Sequence, residues 1–118
     1  MSTYAYLRNH VGDSMTFVFD LDNTLCLTKK NVEGFWEYKS ATPILERIEK
    51  VNTLWQQGHH IIIETARGST SQANWYEFTY SQLVDWGMKF HVLRTGVKFS
   101  ADYFIDDRGV NSEVFFNG

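Results

Sequence analysis

Asp20 and Asp22 stand two residues apart at the end of an apolar run, Phe17-Val18-Phe19. Aromatic and β-branched residues at that density predict a short buried strand over Thr16–Asp20. In an extended chain, positions i and i+2 face the same way. Two like charges held that close are costly unless a cation lies between them or they share a proton. The pair therefore asks for a divalent metal, a proton-transfer role, or both. Alone, Asp-Leu-Asp-Asn-Thr also has the composition of a polar turn.

Two later apolar runs end in the same manner. His60–Thr65 carries three consecutive Ile and breaks into Ala66-Arg67-Gly68. Tyr103-Phe104-Ile105 predicts a buried strand that stops at Asp106-Asp107-Arg108, and Lys98 lies in the loop before it. One carboxylate can attack as a nucleophile, and a second, two residues on, can trade protons. A further acid from the pair Asp106/Asp107 can complete an oxygen-rich cage, which favours Mg²⁺ over Zn²⁺. Thr65 offers a hydroxyl, and Lys98 a point charge for an anion. Acids, Mg²⁺ and Lys together suit phosphoryl transfer, where catalysis is mostly positioning and charge neutralisation.

The elements that would position these groups alternate. Thr42-Pro43 reads as a helix start, with a hydroxyl cap and Pro at the first helical position. Ile44, Leu45, Ile48, Val51, Leu54 and Trp55 follow at helical spacing, and Gly58 is a natural stop. A second helix is predicted from about Ser71 to Trp86, closed by Gly87, with Trp75, Thr79, Leu83 and Trp86 on one face. Phe90–Leu93 reads as a third strand and Val114–Phe116 as a last edge strand. Residues 1–14 form an N-terminal arm, and residues 15–118 a single catalytic domain. Alternating strands and helices imply an α/β fold: a three-layer, Rossmann-like parallel sheet flanked by helices on both faces. Ligands of such sheets bind outside the carboxyl ends of the strands. The endings Asp20/Asp22, Thr65/Arg67 and Asp106/Asp107 would meet there.

Composition agrees with one globular domain. The chain has 118 residues, 43% of them hydrophobic, with 4 Trp, 6 Tyr and 9 Phe, enough for one core. A net charge of −3 gives no broad electrostatic footprint for nucleic acid. The single Cys26 has no internal disulfide partner, which suits a reducing cytoplasm. It reads as a small semi-buried residue rather than a nucleophile. No secretory leader is visible in residues 1–13, and no apolar run reaches membrane-spanning length.

Taken together, the motifs resemble those of the haloacid dehalogenase superfamily. FVFDLDNTL at 17–25 is similar to its first motif, hhhDxDxT, and Ile61–Thr65 to its second. Lys98 stands where the third-motif Lys is expected, and YFIDD at 103–107 is similar to the fourth. The matches run in the family's order over about Thr16–Gly109. TARG at 65–68 and the spacing from Lys98 to Arg108 resemble small capless members associated with capsule or surface-polysaccharide biosynthesis. Thr-x-Arg and IDDR also resemble polynucleotide 3′-phosphatase domains. The departure is Asn23, where Gly is usual; Asn tolerates unusual backbone angles.

The resemblance implies a phosphatase working through an aspartyl-phosphate. Asp20 is its nucleophile and Asp22 its acid and base, with Thr65 and Lys98 binding the transferring phosphoryl oxygens. Mg²⁺ would be held by Asp20, by Asp22 through its backbone carbonyl, and by an acid of the pair Asp106/Asp107, with Asp106 favoured as the direct ligand and Asp107 behind it. The substrate contacts implied are Asn23, Thr24, Thr65, Ala66, Arg67 and Lys98. Asn23–Ala41 is too short for a cap domain, so a flap, a second copy in a homo-oligomer, or the substrate itself must cover the site. The favoured substrate is a small phosphorylated metabolite such as a sugar phosphate. A polynucleotide 3′-phosphatase and a degenerate phosphate-binding or regulatory module are the alternatives. Arg67 can either brace its loop against an acid or contact the substrate. Arg108 reads as a partner for nearby carboxylates, His59 and His60 as packed or solvated, and Phe35, Trp36 and Tyr38 as core or lid packing.

Overall fold

The computed structural model describes residues 2–9, 12–68, 74–96 and 102–118. Its sheet has three parallel strands among the described residues: β1 (Thr16–Phe19), β4 (His60–Thr65) and β5 (Val92–Thr95), in the order β1-β4-β5. Phe17 stands opposite Ile61 and Phe19 opposite Ile63; Ile63 pairs with Leu93 and Thr65 with Thr95. Helix α2 (Leu45–Gln56) connects β1 to β4, and α3 (Tyr76–Asp85) lies between β4 and β5. The sheet is thus flanked by helices.

Burial differs between the two sheet faces. Phe19, Ile61, Ile63, Thr65 and Leu93 are buried on one side, with Ile48, Val51 and Leu54 of α2 and Leu83 of α3 in the same core. Val18 and Arg94 are exposed on the other. The strands therefore show the period-two pattern of a half-covered sheet, rather than the uniform burial expected for one covered on both faces. No helix among the described residues is long and apolar enough to cross a membrane.

Several elements differ from the sequence expectation. Thr42–Pro43 is not a helix start but strand β3, antiparallel to β2 (Cys26–Leu27). Ile44 extends that contact by donating its N–H to the Leu25 carbonyl at 2.9 Å. Pro, which has no N–H to donate, is tolerated in such a two-residue edge strand. Helix α2 begins afterwards at Leu45, without a side-chain cap. Helix α3 begins at Tyr76, because Asn74 turns back to accept the Tyr76 N–H at 3.0 Å; residues 71–73 lie outside the described residues. Strand β5 lies two residues later than expected. Gly58 and Gly87 do end their helices, at φ of +92° and +76°.

Tyr103-Phe104-Ile105 is not a buried strand. Tyr103 is 84% exposed and Ile105 95%. Asp106 accepts the backbone N–H groups of Arg108, at 2.7 Å, and Gly109. That local turn competes with strand pairing for the backbone. Val114–Phe116 is likewise not a strand but part of α4 (Ser112–Asn117). Asn111 caps it by accepting the N–H groups of Glu113 at 2.9 Å and Val114 at 3.4 Å. Both Phe115 and Phe116 reach the core, against Phe17 and Phe19. The N-terminal arm contains α1 (Thr3–Arg8), capped by the Ser2 hydroxyl; its Tyr4 is buried beside Phe115.

Candidate active site

Strand β1 ends at Phe19, and the chain turns at once. Leu21 and Leu25, both fully buried, anchor the turn in the core, and the Leu21 carbonyl accepts from Thr24, Leu25 and Cys26. Asn23 takes the left-handed conformation, at φ +62°, as Asn can. Its side-chain oxygen accepts the Thr28 N–H at 3.1 Å. From outside the turn, buried Arg47 of α2 donates to the Thr24 carbonyl at 3.0 Å. The two acids are thus carried on a turn fixed at both ends.

The Asp22 carboxylate points into a polar cluster. Its Oδ1 accepts the Thr28 hydroxyl at 2.6 Å and Arg67 Nη2 at 2.8 Å, with the Cys26 thiol at 3.6 Å. Its Oδ2 accepts Arg67 Nε at 3.0 Å. This is a two-pronged guanidinium–carboxylate pair, the geometry for which Arg is suited. Arg67 is wholly buried, and its Nη1 donates to Gln82 at 2.7 Å and Thr79 at 3.2 Å. The Tyr38 ring covers the guanidinium, 4.7 Å away. The Tyr38 carbonyl accepts from the Gln82 amide at 2.9 Å, and the ring packs edge-on against Trp75. The like-charge problem posed by Asp20 and Asp22 is answered on the Asp22 side by a guanidinium.

The neighbouring titratable groups respond to this cluster. Burial pushes the Cys26 thiol up to about 11; the Thr28 hydrogen bond opposes the shift and the Asp22 charge adds to it. The thiol is therefore protonated near neutrality and is no nucleophile. Burial also raises the Tyr38 phenol, helped by the Asp22 charge and opposed by Arg67.

The other expected site residues are placed unevenly. Thr65 is buried at the end of β4, its hydroxyl accepting the Arg67 N–H at 3.2 Å. Ala66 is half-buried beside it, Asp20 and Thr24 are half-buried, and Asn23 is exposed on the turn. The loops after β4 and β5 approach closely: a Cβ on Gly96 would lie 3.6 Å from the Gly68 carbonyl oxygen. Lys98 lies outside the described residues. Asp106 and Asp107 are exposed; backbone hydrogen bonds from Arg108 and Gly109 hold the Asp106 carboxyl below its usual range. Arg108 does sit beside a carboxylate, 3.9 Å from Asp107, but both are exposed. Among the described residues, no three of His, Cys, Asp and Glu gather as a metal group.

Thr28, Thr79 and Gln82 were not foreseen. Thr28 shares its side of the chain with Cys26, two residues earlier. Thr79 is the polar member of the face formed by Trp75, Thr79, Leu83 and Trp86, and Gln82 adjoins its Leu83. A polar residue on or beside a buried stripe was the available signal in each case.

No family model matches the chain, and no curated protein matches it either. A crystal structure of a target protein from Vibrio cholerae is similar in fold, with a TM-score of 0.71 at 24% identity over 87% of this chain and 88% of that one. At that identity the likeness concerns the fold alone.

Proposed function

We propose that this protein is a Mg²⁺-dependent phosphatase, with the Rossmann-like arrangement of the haloacid dehalogenase superfamily, hydrolysing the phosphate monoester of a small metabolite. The observation that carries the reading is the Asp22–Arg67 pair: it joins the acid-bearing end of β1 to the Thr65 end of β4. Asp20 attacks phosphorus and the ester P–O bond breaks. Asp22, protonated as the dianionic ester binds beside it, gives that proton to the departing oxygen and then takes one from the water that attacks phosphorus, releasing phosphate and restoring Asp20. Thr65 and Lys98 bind the phosphoryl oxygens. The donors available to a metal are hard oxygens, namely the Asp20 carboxylate, the Asp22 carbonyl and an acid from Asp106/Asp107, and they fit Mg²⁺ in kind. The acid pair stands on an exposed segment that has to approach the strand ends. When bound, Mg²⁺ neutralises charge on the phosphoryl group.

A polynucleotide 3′-phosphatase is the second reading. A groove of about 350 Å³ between the flap and Trp75, lined by Trp36, Glu37, Tyr38 and Lys39, offers rings and a cation beside one acid for stacking a nucleotide strand.

Hydrolysis of an aryl phosphate with and without Mg²⁺, by wild type and Asp20→Asn, tests both. Metal-dependent turnover that is lost in Asp20→Asn supports them. No metal-dependent activity on that ester or a broad panel overturns them. Sugar phosphates, nucleotides and 3′-phosphorylated oligonucleotides in the panel separate the two.

A further inference from the structure

We propose that Arg67 is a positioning residue: it aims the Asp22 carboxylate and does not bind the phosphate. The inference rests on the phosphatase reading above. An anion-binding Arg needs free N–H groups and an approach path. Here Nε and Nη2 engage the two oxygens of Asp22, and Nη1 engages Thr79 and Gln82. The Tyr38 ring lies over the plane of the guanidinium, and the residue is 0% exposed. A phosphate would have to displace protein on an edge or a face to reach it.

The same contacts explain how Asp22 is aimed. Two parallel N–H···O bonds fix the plane of the carboxylate as well as its place. The Thr28 hydroxyl adds a third bond, at Oδ1. Among the described residues Oδ2 carries the single bond from Nε, so it is the oxygen with room to exchange a proton. A general acid must lie within hydrogen-bond reach of the leaving oxygen, and small misplacements are costly.

Leaving-group dependence separates positioning from phosphate binding. An alkyl phosphate needs its departing oxygen protonated; a nitrophenyl phosphate scarcely does. We expect Arg67→Lys to lower kcat/KM, which reports the steps up to departure of the alcohol, about 100-fold for glycerol phosphate, the range typical of general acid catalysis, and less than about tenfold for p-nitrophenyl phosphate. The inhibition constant of inorganic phosphate should stay within about twofold, because the binding groups are intact. Equal losses on the two esters with weakened phosphate inhibition, or no loss on either, overturn the inference. If Arg67→Lys shows no cooperative melt, Gln82→Met decides. It loosens the guanidinium by removing the 2.7 Å acceptor of Nη1 and should lower kcat/KM for glycerol phosphate about tenfold, with that for p-nitrophenyl phosphate and phosphate inhibition nearly unchanged; a uniform loss or none overturns the inference there. A wild type inactive on every ester is a different failure: it removes the phosphatase reading, and this inference with it.

Discussion

The Tyr38 ring lies 4.7 Å from the Arg67 guanidinium and screens it from solvent. A cation over an aromatic face is worth roughly 0.5–2 kcal/mol, more when desolvated, so Tyr38→Ala should lower stability by about that amount while Tyr38→Phe keeps the ring and most of the effect. Urea denaturation of the three proteins checks this. The phenol itself is raised above its ordinary value of 10.0, first by burial and then by the Asp22 charge. Its contribution to stability is therefore intact below pH 10 and is lost as pH rises through the higher folded value. Wild type should lose stability more steeply than Tyr38→Phe on the alkaline side.

Arg47 links three distant parts of the chain. It donates to the Thr24 carbonyl, pairs with Glu113 at 2.6 Å, and lies over the Phe116 ring at 4.9 Å. Arg47→Met should cost about 1–3 kcal/mol, since it leaves a carbonyl of the turn without its donor. Glu113 is exposed, and Glu113→Gln should change the melting temperature little near neutrality. The Glu113 carboxyl is held below its ordinary 4.5 by the Asn117 and Arg47 hydrogen bonds. Such a group adds stability above that value and loses it as pH falls through the folded one. Any difference between wild type and Glu113→Gln in thermal melts should accordingly vanish as pH drops below 4.5.

At Asn23 the backbone, not the side chain alone, sets the requirement. With φ at +62°, a residue with Cβ and no compensating hydrogen bond is strained by about 1–2 kcal/mol. Asn23→Gly loses only the bond to the Thr28 N–H, whereas Asn23→Ala loses it and adds the strain. The Ala protein should therefore be the less stable by about 1 kcal/mol in thermal melts. Both should slow the proposed phosphate-ester hydrolysis, because Thr28 holds Asp22.

Cys26 is fully buried, and its thiol stays protonated at pH 8. Maleimide should react with the folded protein at least about 100-fold more slowly than with the chain in urea. Rapid labelling in native buffer would mean that the β2–β3 hairpin opens readily.

Much of this was legible in the residues. The Phe17–Phe19 and Ile61–Ile63 runs are strands, Gly58 and Gly87 end helices, and Asn23 accepts the left-handed turn. What misled were runs beside residues with short polar side chains. Counting apolar residues makes Tyr103–Ile105 and Val114–Phe116 strands, but Asp106 and Asn111 capture neighbouring N–H groups and set a turn and a helix instead. Thr42 shows the reverse: it has the composition of a cap yet is drawn into pairing with Leu27. The acids Asp20 and Asp22 were visible, but the burial of Arg67 was not. Its partners Asp22, Thr79 and Gln82 lie 45, 12 and 15 residues away, and only the folded chain sums them.

The C-terminal helix supplies Phe115 and Phe116 to the rings of β1 and Glu113 to Arg47. Ribosomal synthesis makes β1 more than ninety residues before this cover. Until residues 112–117 emerge, Phe17 and Phe19 lack the rings of Phe115 and Phe116, and Arg47 lacks its carboxylate, so the packing around the acid-bearing turn is completed only after they do. Contacts this distant in sequence slow folding, and a nascent chain stalled at Gly109 should bind a hydrophobic dye that the chain through Gly118 refuses.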